Sequence, residues 1–114
     1  MPRAVAAALA TPQIIIEIEP VYSIFRIIEV SEVNGVQRYF MVRVGPDRTG
    51  ILTGGVGEIA EDDAFQRIIG NYRIAAVYGD FFRGEITGLT HRVGPMAFAR
   101  IQTGEIVREI VTQL

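Results

Sequence analysis

The chain of 114 residues contains no cysteine, which excludes disulfides, thiolate catalysis and cysteine-ligated zinc. His91 is its only histidine, so a metal site built from several imidazoles is excluded as well. Lysine is also absent, and all eleven basic residues are arginine. Arginine at every basic position would suit bidentate contacts to carboxylates or phosphates. A general bias in composition explains the same pattern and is the simpler interpretation.

Long apolar runs are absent too: the longest run of isoleucine, leucine or valine is Ile14-Ile15-Ile16, far too short to span a bilayer. The net charge of −2 provides no basic surface, so we expect neither a membrane nor a nucleic acid as partner. Residues 1–10 resemble a signal peptide only faintly, because the apolar part is short and rich in alanine. We therefore expect a cytoplasmic protein in which residues 1–12 form an arm or a short helix.

The sequence does contain a repeated tetrapeptide. Arg43-Val44-Gly45-Pro46 returns as Arg92-Val93-Gly94-Pro95, and in the same register Gly35 aligns with Gly84. Hydrophobic residues make up 49% of the chain, which is typical of a single globular domain over residues 1–114. Within it, the matches predict a duplicated unit, with one copy in residues 22–69 and the other in residues 71–113.

Asn34-Gly35 is the clearest local signal for structure. Both residue types accept a positive φ, as a two-residue type I′ turn requires, and apolar runs flank them. This turn predicts a hairpin in which Val33 faces Val36, Val30 faces Tyr39 and Ile27 faces Val42. The repeat predicts a second hairpin, which turns at Arg83-Gly84.

Two helices are expected to follow the hairpins. Asp63 and Gln66 form a capping box for the first helix, and Thr103 is positioned to cap the second. An apolar stripe along the second helix consists of Ile106, Val107, Ile110, Val111 and Leu114. The predicted fold class is therefore α+β: a mainly antiparallel sheet or small barrel built from two tandem strand-strand-strand-helix repeats. An extra N-terminal strand over residues 13–19 precedes them, and Pro20 is expected to interrupt it.

Four residues are candidates for binding a ligand. In the predicted second hairpin, His91 shares a face with Asp80, which is a possible orienting carboxylate. The alternative is a histidine bonded to backbone or water, since no nucleophile lies beside it. Arg43 and Arg92 follow equivalent hairpins. A pseudo-twofold axis would either bring both into one cleft for a small anion or place them on opposite sides.

Two further motifs resemble ligand sites but lack the neighbouring residues that such sites require. Gly54-Gly55-Val56-Gly57 precedes the first predicted helix but lacks the lysine of a phosphate-binding loop, and Ala60 replaces the third glycine of a dinucleotide fingerprint. The acidic run Glu61-Asp62-Asp63 suits the start of a helix better than a metal site. We therefore predict no metal and no cofactor.

The sequence leaves two classes of function open. The first is a non-catalytic oligomeric binding or interaction module, expected to form a symmetric homodimer because a domain of this size cannot bury all of its aliphatic residues. The alternative is a small enzyme, or a protein that binds a small molecule or anion, with a cleft near His91 and the two Arg-Val-Gly-Pro turns.

Overall fold

The computed structural model describes residues 12–113, which form six antiparallel β-strands and no helix. The strands are β1 (Pro12–Val33), β2 (Val36–Arg43), β3 (Val56–Ala60), β4 (Ile68–Tyr78), β5 (Phe81–Leu89) and β6 (Phe98–Gln113). They close into a barrel in the order β1-β2-β5-β4-β3-β6. The described chain divides into a barrel unit, Tyr22–Gly104, and a ribbon unit made of residues 12–21 and 105–113.

The interior of the barrel unit is filled by aromatic rings, as expected for a barrel of few strands. Phe40, Tyr72 and Phe82 are buried completely or nearly so. The Phe40 and Tyr72 rings meet edge to face at 4.9 Å, and Tyr72 stacks on Phe82 at 5.9 Å between centroids. Aliphatic side chains from Ile59, Ile69 and Ile74 complete the centre of this core. Strand alternation places these residues inside and the polar residues between them outside.

The first hairpin was predicted correctly at its turn. Asn34 and Gly35 have φ angles of 54° and 79°, as a type I′ turn requires. Val33 pairs with Val36 and Ile27 with Val42, as predicted. The middle of the prediction is wrong, because register shifts in β1 move Val30 from Tyr39 to Phe40.

The second hairpin turns at Gly79-Asp80, so the predicted turn at Arg83-Gly84 is wrong. Tyr78 pairs with Phe81, and Gly84 lies inside β5 opposite Phe40. A side chain at Gly84 would collide with the Phe40 ring. This glycine therefore makes room for an aromatic ring and does not make a turn, which is the other common use of glycine in a strand.

The α+β fold class and its strand-strand-strand-helix repeats are also wrong, because neither helix is present. Where the first helix was expected, Asp62 Oδ1 accepts the Ala64 N–H at 3.0 Å and closes a turn. Phe65 has a φ of 53°, which no helix allows, and β4 begins at Ile68. A helix of so few residues would need extensive packing to persist.

The predicted C-terminal helix is replaced by the second half of β6. Ile106, Val107, Ile110 and Val111 are all β-branched, which favours strand over helix. Leu114, the last residue of the predicted stripe, lies outside the described residues. The predicted N-terminal strand is present but continues through Pro20 as part of β1. In the described register the ladder between β1 and β2 covers Ile27 to Val33, so Pro20 lies outside it and its missing N–H costs no bond to β2.

The strand order is compatible with a duplication. If β1, β2 and β3 are exchanged with β4, β5 and β6 respectively, every pair of neighbouring strands in the barrel maps onto another neighbouring pair. The two Arg-Val-Gly-Pro segments then follow the equivalent strands β2 and β5. The boundaries 22–69 and 71–113 stay a prediction, and residues 1–11 of the predicted arm lie outside the described residues. No helix able to cross a bilayer occurs in residues 12–113; the cytoplasmic location stays a prediction.

Candidate functional site

Polar side-chain contacts join the two segments of the ribbon unit. Arg108 forms an ion pair with Glu19 at 3.2 Å between Nη2 and Oε2. The Thr112 hydroxyl donates to the Gln13 carbonyl oxygen at 3.4 Å. An ion pair this exposed adds little stability, and a two-stranded ribbon alone is marginally stable in water. Apolar packing against another surface would stabilise such a ribbon.

One face of β1 in the ribbon unit is aliphatic and exposed. Ile14, Ile16 and Ile18 project to the same side because side chains alternate along a strand, and they are 60%, 65% and 60% exposed. Pro20 lies on the same side and extends this face. No charged residue of β1 lies on this side between Ile14 and Pro20. Glu17 and Glu19 project to the opposite side. We call Ile14, Ile16, Ile18 and Pro20 the isoleucine face.

The ribbon part of β6 adds further exposed aliphatic side chains. Apolar and charged residues alternate there in pairs, so each side of this strand receives both kinds. The exposed aliphatic residues are Ile106, Val107, Ile110 and Val111. Surface this apolar on a small chain marks an interaction site or an aggregation hazard.

The barrel unit carries a separate polar cleft on the outside of its wall. Strand pairing places Arg100 beside Glu58, Glu58 beside Asn71, and Asn71 beside Gly88, in a row across β6, β3, β4 and β5. Next to this row lies a cleft of about 290 Å³. The side chains that supply its polar groups are Tyr22, Glu58, Asn71, Thr87, Arg100 and Gln102. We call it the Arg100 cleft.

Arg100 is held on three sides. Its Nε and Nη2 donate to Glu58 Oε1 at 3.0 and 2.9 Å. The guanidinium lies 4.1 Å from the centroid of the Tyr22 ring and 4.8 Å from that of Phe65. Phe65 adopts its positive φ in the loop that brings its ring to this position. Backbone strain of this kind persists only where the surroundings fix it, and here the Phe65 ring packs against the Arg100 guanidinium.

Tyr72 forms the floor of the Arg100 cleft. Its hydroxyl donates to the Arg100 carbonyl oxygen at 3.0 Å. Burial raises the pKa of the Tyr72 hydroxyl well above its ordinary value, because the charged phenolate would lose its solvation. The hydroxyl therefore remains a proton donor at any physiological pH. Gly57 lies opposite Tyr72 and leaves room for its ring.

We expect Tyr72→Phe to lower the free energy of unfolding by about 1 kcal/mol, because it removes one buried hydrogen bond and leaves the ring in place. Tyr78→Phe is the matched control, since Tyr78 is half exposed and should lose almost nothing. Urea denaturation of both variants measures the difference. Equal losses in the two variants would show that the Tyr72 hydroxyl contributes no more than an exposed one.

A larger cleft of about 400 Å³ lies between residues 26–30 of β1 and residues 93–95. Its charged side chains, Arg26 and Glu29, are both exposed. No ion pair or hydrogen bond within residues 12–113 holds either of them in place. By size alone this cleft would be the better candidate for a ligand site. The placement of polar groups makes the Arg100 cleft the better one.

The structure brings two of the four predicted site residues to one end of β5. Asp80 lies in the turn before this strand, and Arg43 pairs with Phe81, the next residue. The carbonyl oxygen of Asp80 accepts the N–H groups of Val44 at 2.6 Å and Gly45 at 3.2 Å. The backbone of Asp80 therefore has a structural role, anchoring the start of the first Arg-Val-Gly-Pro segment.

The other two, His91 and Arg92, lie beyond the opposite end of β5. Arg67 donates to His91 Nε2, and His91 Nδ1 lies 3.0 Å from the Thr90 hydroxyl. Arg92 forms an ion pair with Glu32. A strand of nine residues separates the two pairs by roughly 30 Å. His91 and Asp80 therefore do not lie close enough for Asp80 to orient the imidazole, and Arg43 and Arg92 lie at opposite ends of β5. Anion binding by any one of the four stays a prediction.

The glycine-rich segment has its N–H groups occupied. Gly54 N–H donates to the Ile74 carbonyl oxygen at 2.8 Å, and Gly55 N–H to that of Leu52 at 3.0 Å. Neither is available to cradle a phosphate. In the acidic run, Glu61 pairs with Arg67 at 3.6 Å. No three His, Asp or Glu side chains in residues 12–113 lie close enough together to hold a metal ion.

Sequence reasoning missed the Arg100 cleft because its residues are scattered along the chain. Glu58, Asn71 and Arg100 become neighbours only through pairing of three different strands. Each is an ordinary polar residue in the sequence, and none belongs to a recognisable motif.

Comparison of the chain with models of protein families, with curated proteins and with solved structures found no match.

Proposed function

We propose that this chain is a non-catalytic interaction module that self-associates through its ribbon unit as a symmetric homodimer. The observation that carries the proposal is the isoleucine face, whose three isoleucines are each at least 60% exposed. Covering one large aliphatic side chain contributes about 1.5–3 kcal/mol. In a twofold dimer each residue of the face counts twice, since both copies offer the same surface.

A second copy is the occupant that fits this face best. The isoleucine face carries no charge on β1, so two copies can pack there without opposing like charges. Glu17 and Glu19 lie on the other side of β1, where they stay in water. The ribbon unit has four glutamates and one arginine, which disfavours an acidic partner or a nucleic acid. Packing one apolar ribbon on another would form two layers of sheet with a shared core.

The chemistry of the barrel unit supports a non-catalytic role. Both ring nitrogens of His91 have partners: Nε2 contacts Arg67, and Nδ1 contacts the Thr90 hydroxyl. In turn, the Thr90 hydroxyl lies 3.3 Å from the Ile69 carbonyl oxygen, to which it donates. An acid–base pair requires a histidine whose nitrogen faces a reacting group, and this arrangement provides none.

Sedimentation equilibrium over a range of micromolar concentrations tests the proposal. We expect the mass to rise towards twice the chain mass of 12.6 kDa as the protein is concentrated. High salt should leave the association intact or strengthen it, because apolar contacts carry it. A mass that stays at that of one chain at every concentration would refute self-association. Assembly that weakens sharply in salt would refute the apolar contact.

A further inference from the structure

We infer that the Arg100 cleft is a binding site for a small neutral ring that carries several hydroxyl groups, such as a monosaccharide. The site lies wholly in the barrel unit, and nothing in the inference depends on self-association. Three observations support it: the charge of the cleft, its uncharged polar groups, and its size and aromatic wall.

The charge of the cleft excludes strongly charged ligands. Glu58 and Arg100 are the charged side chains among its lining residues, and they are paired with each other. An anion would face the Glu58 carboxylate, and a cation would face the Arg100 guanidinium. The attraction of a charged ligand to one member of the pair is therefore offset by repulsion from the other, which lies within hydrogen-bonding distance of it. A ligand without charge avoids this repulsion.

The uncharged polar groups match hydroxyls. Within residues 12–113 the side chains of Asn71 and Thr87 make no hydrogen bond of their own, although both line the cleft. The Asn71 amide offers donors and an acceptor, and the Thr87 hydroxyl can do either. A ligand hydroxyl is likewise both donor and acceptor, so a ring that carries several of them can satisfy both residues at once.

The size and the wall of the cleft indicate one ring. Its volume of about 290 Å³ is at the lower limit of small-molecule sites. Tyr22 supplies an aromatic ring with a polar end, which suits a ligand that has apolar and polar parts. The Arg100 guanidinium lies 4.1 Å from the centroid of that ring. Because Glu58, Tyr22 and Phe65 already hold Arg100, binding loses little conformational entropy at this side chain.

Nuclear magnetic resonance of the full chain labelled with ¹⁵N tests the inference. The reporters are the Asn71 side-chain amide and the Arg100 Nε–H, both within the cleft. The neutral probes are methyl glucoside, methyl galactoside, methyl mannoside and N-acetylglucosamine. Glucuronate and inorganic phosphate are the anionic probes. We expect at least one neutral probe to shift both reporters saturably, with a dissociation constant of about 1 mM, as suits a single small ring.

Two variants and one control make the result specific. Asn71→Ala and Thr87→Val, both followed at the Arg100 Nε–H because Asn71→Ala lacks the other reporter, should each weaken binding of that probe about tenfold, the effect of losing one well-placed hydrogen bond. Thr53→Val is the matched control, since Thr53 is an exposed threonine outside the cleft, and it should bind as the parent does. The inference is overturned if no neutral probe produces saturable shifts, if only the anions bind, or if Thr53→Val weakens binding as much as Thr87→Val does.

Discussion

Replacing Gly57 with alanine is expected to lower the free energy of unfolding by about 3 kcal/mol, the upper end of the cost of overpacking. A Cβ at this position would lie 2.5 Å from Tyr72 Oη and closer still to the Arg100 carbonyl oxygen. The carbonyl cannot withdraw freely, because Gly57 pairs with Ile101 in the adjacent strand. The added methyl group would therefore push β3 away from β6 and displace the Tyr72 hydroxyl from its acceptor.

Gly88→Ala is the matched control. Gly88 is also a strand glycine in the barrel unit, but a Cβ there would meet no atom within 4 Å. Alanine should be neutral at Gly88, or stabilise the fold by about 0.5 kcal/mol through a less flexible unfolded chain. Urea denaturation of both variants measures the difference. If Gly57→Ala lost no more stability than Gly88→Ala, the close packing of β3, β4 and β6 around Tyr72 would be wrong.

Replacing Ile16 with glutamate is expected to weaken self-association by roughly a hundredfold or more. Covering two copies of Ile16, each 65% exposed, contributes about 2–4 kcal/mol, which corresponds to roughly thirtyfold to several hundredfold in the dissociation constant. The new carboxylates would add to this by facing each other, or an apolar surface, without a partner. The fold of the barrel unit should not change, because Ile16 belongs to the ribbon unit.

Ile28→Glu is the control for that substitution. Ile28 lies on the same strand, in the barrel unit, and is 55% exposed against 65% for Ile16. The same chemical change at similar exposure should leave the dissociation constant within about threefold of the parent. Sedimentation equilibrium of both variants compares them. Equal weakening would place the interface outside the isoleucine face, and no weakening by Ile16→Glu would remove this face from the interface.

The structure shows which sequence signals decide a fold locally. Asn34-Gly35 specified its turn because both residues tolerate the required positive φ, which is a property of the two residues themselves. Gly84 was a weaker signal for a turn, because glycine in a strand also occurs where an aromatic ring packs against the backbone. Only the position of Phe40, far away in the chain, decides between these uses. The repeat therefore pointed to equivalent strands but to the wrong turn.

The C-terminal segment failed for a different physical reason. Its paired aliphatic residues fit one stripe of a helix, and they fit a strand whose two sides are both partly apolar. Ile106 and Val107 lie in such a strand. Most antiparallel sheets bury one side and leave the other in water, so a strand with apolar residues on both sides is not expected. The sequence pattern therefore favoured a helix. The same feature that misled the fold prediction leaves aliphatic side chains exposed on the ribbon unit and supports the predicted homodimer.

The candidate sites show the same difference between local sequence signals and features that depend on residues far apart in the chain. His91, Asp80, Arg43 and Arg92 were selected because rare residue types and repeated motifs stand out in a sequence. The Arg100 cleft depends on Glu58, a common residue, and on pairing across strands that no local pattern specifies. A cleft of this kind becomes visible only when the strand order and register are known.

The most direct test of ribbon-mediated self-association is a measurement of nuclear Overhauser effects between an isotope-labelled copy and an unlabelled copy of the chain. The account predicts contacts between the methyl groups of Ile14, Ile16 and Ile18 of one copy and the same face of the other. The signals should vanish in Ile16→Glu and remain in Ile28→Glu. Contacts between copies that involve only residues of the barrel unit, or no contacts at concentrations where the protein is dimeric by mass, would contradict it.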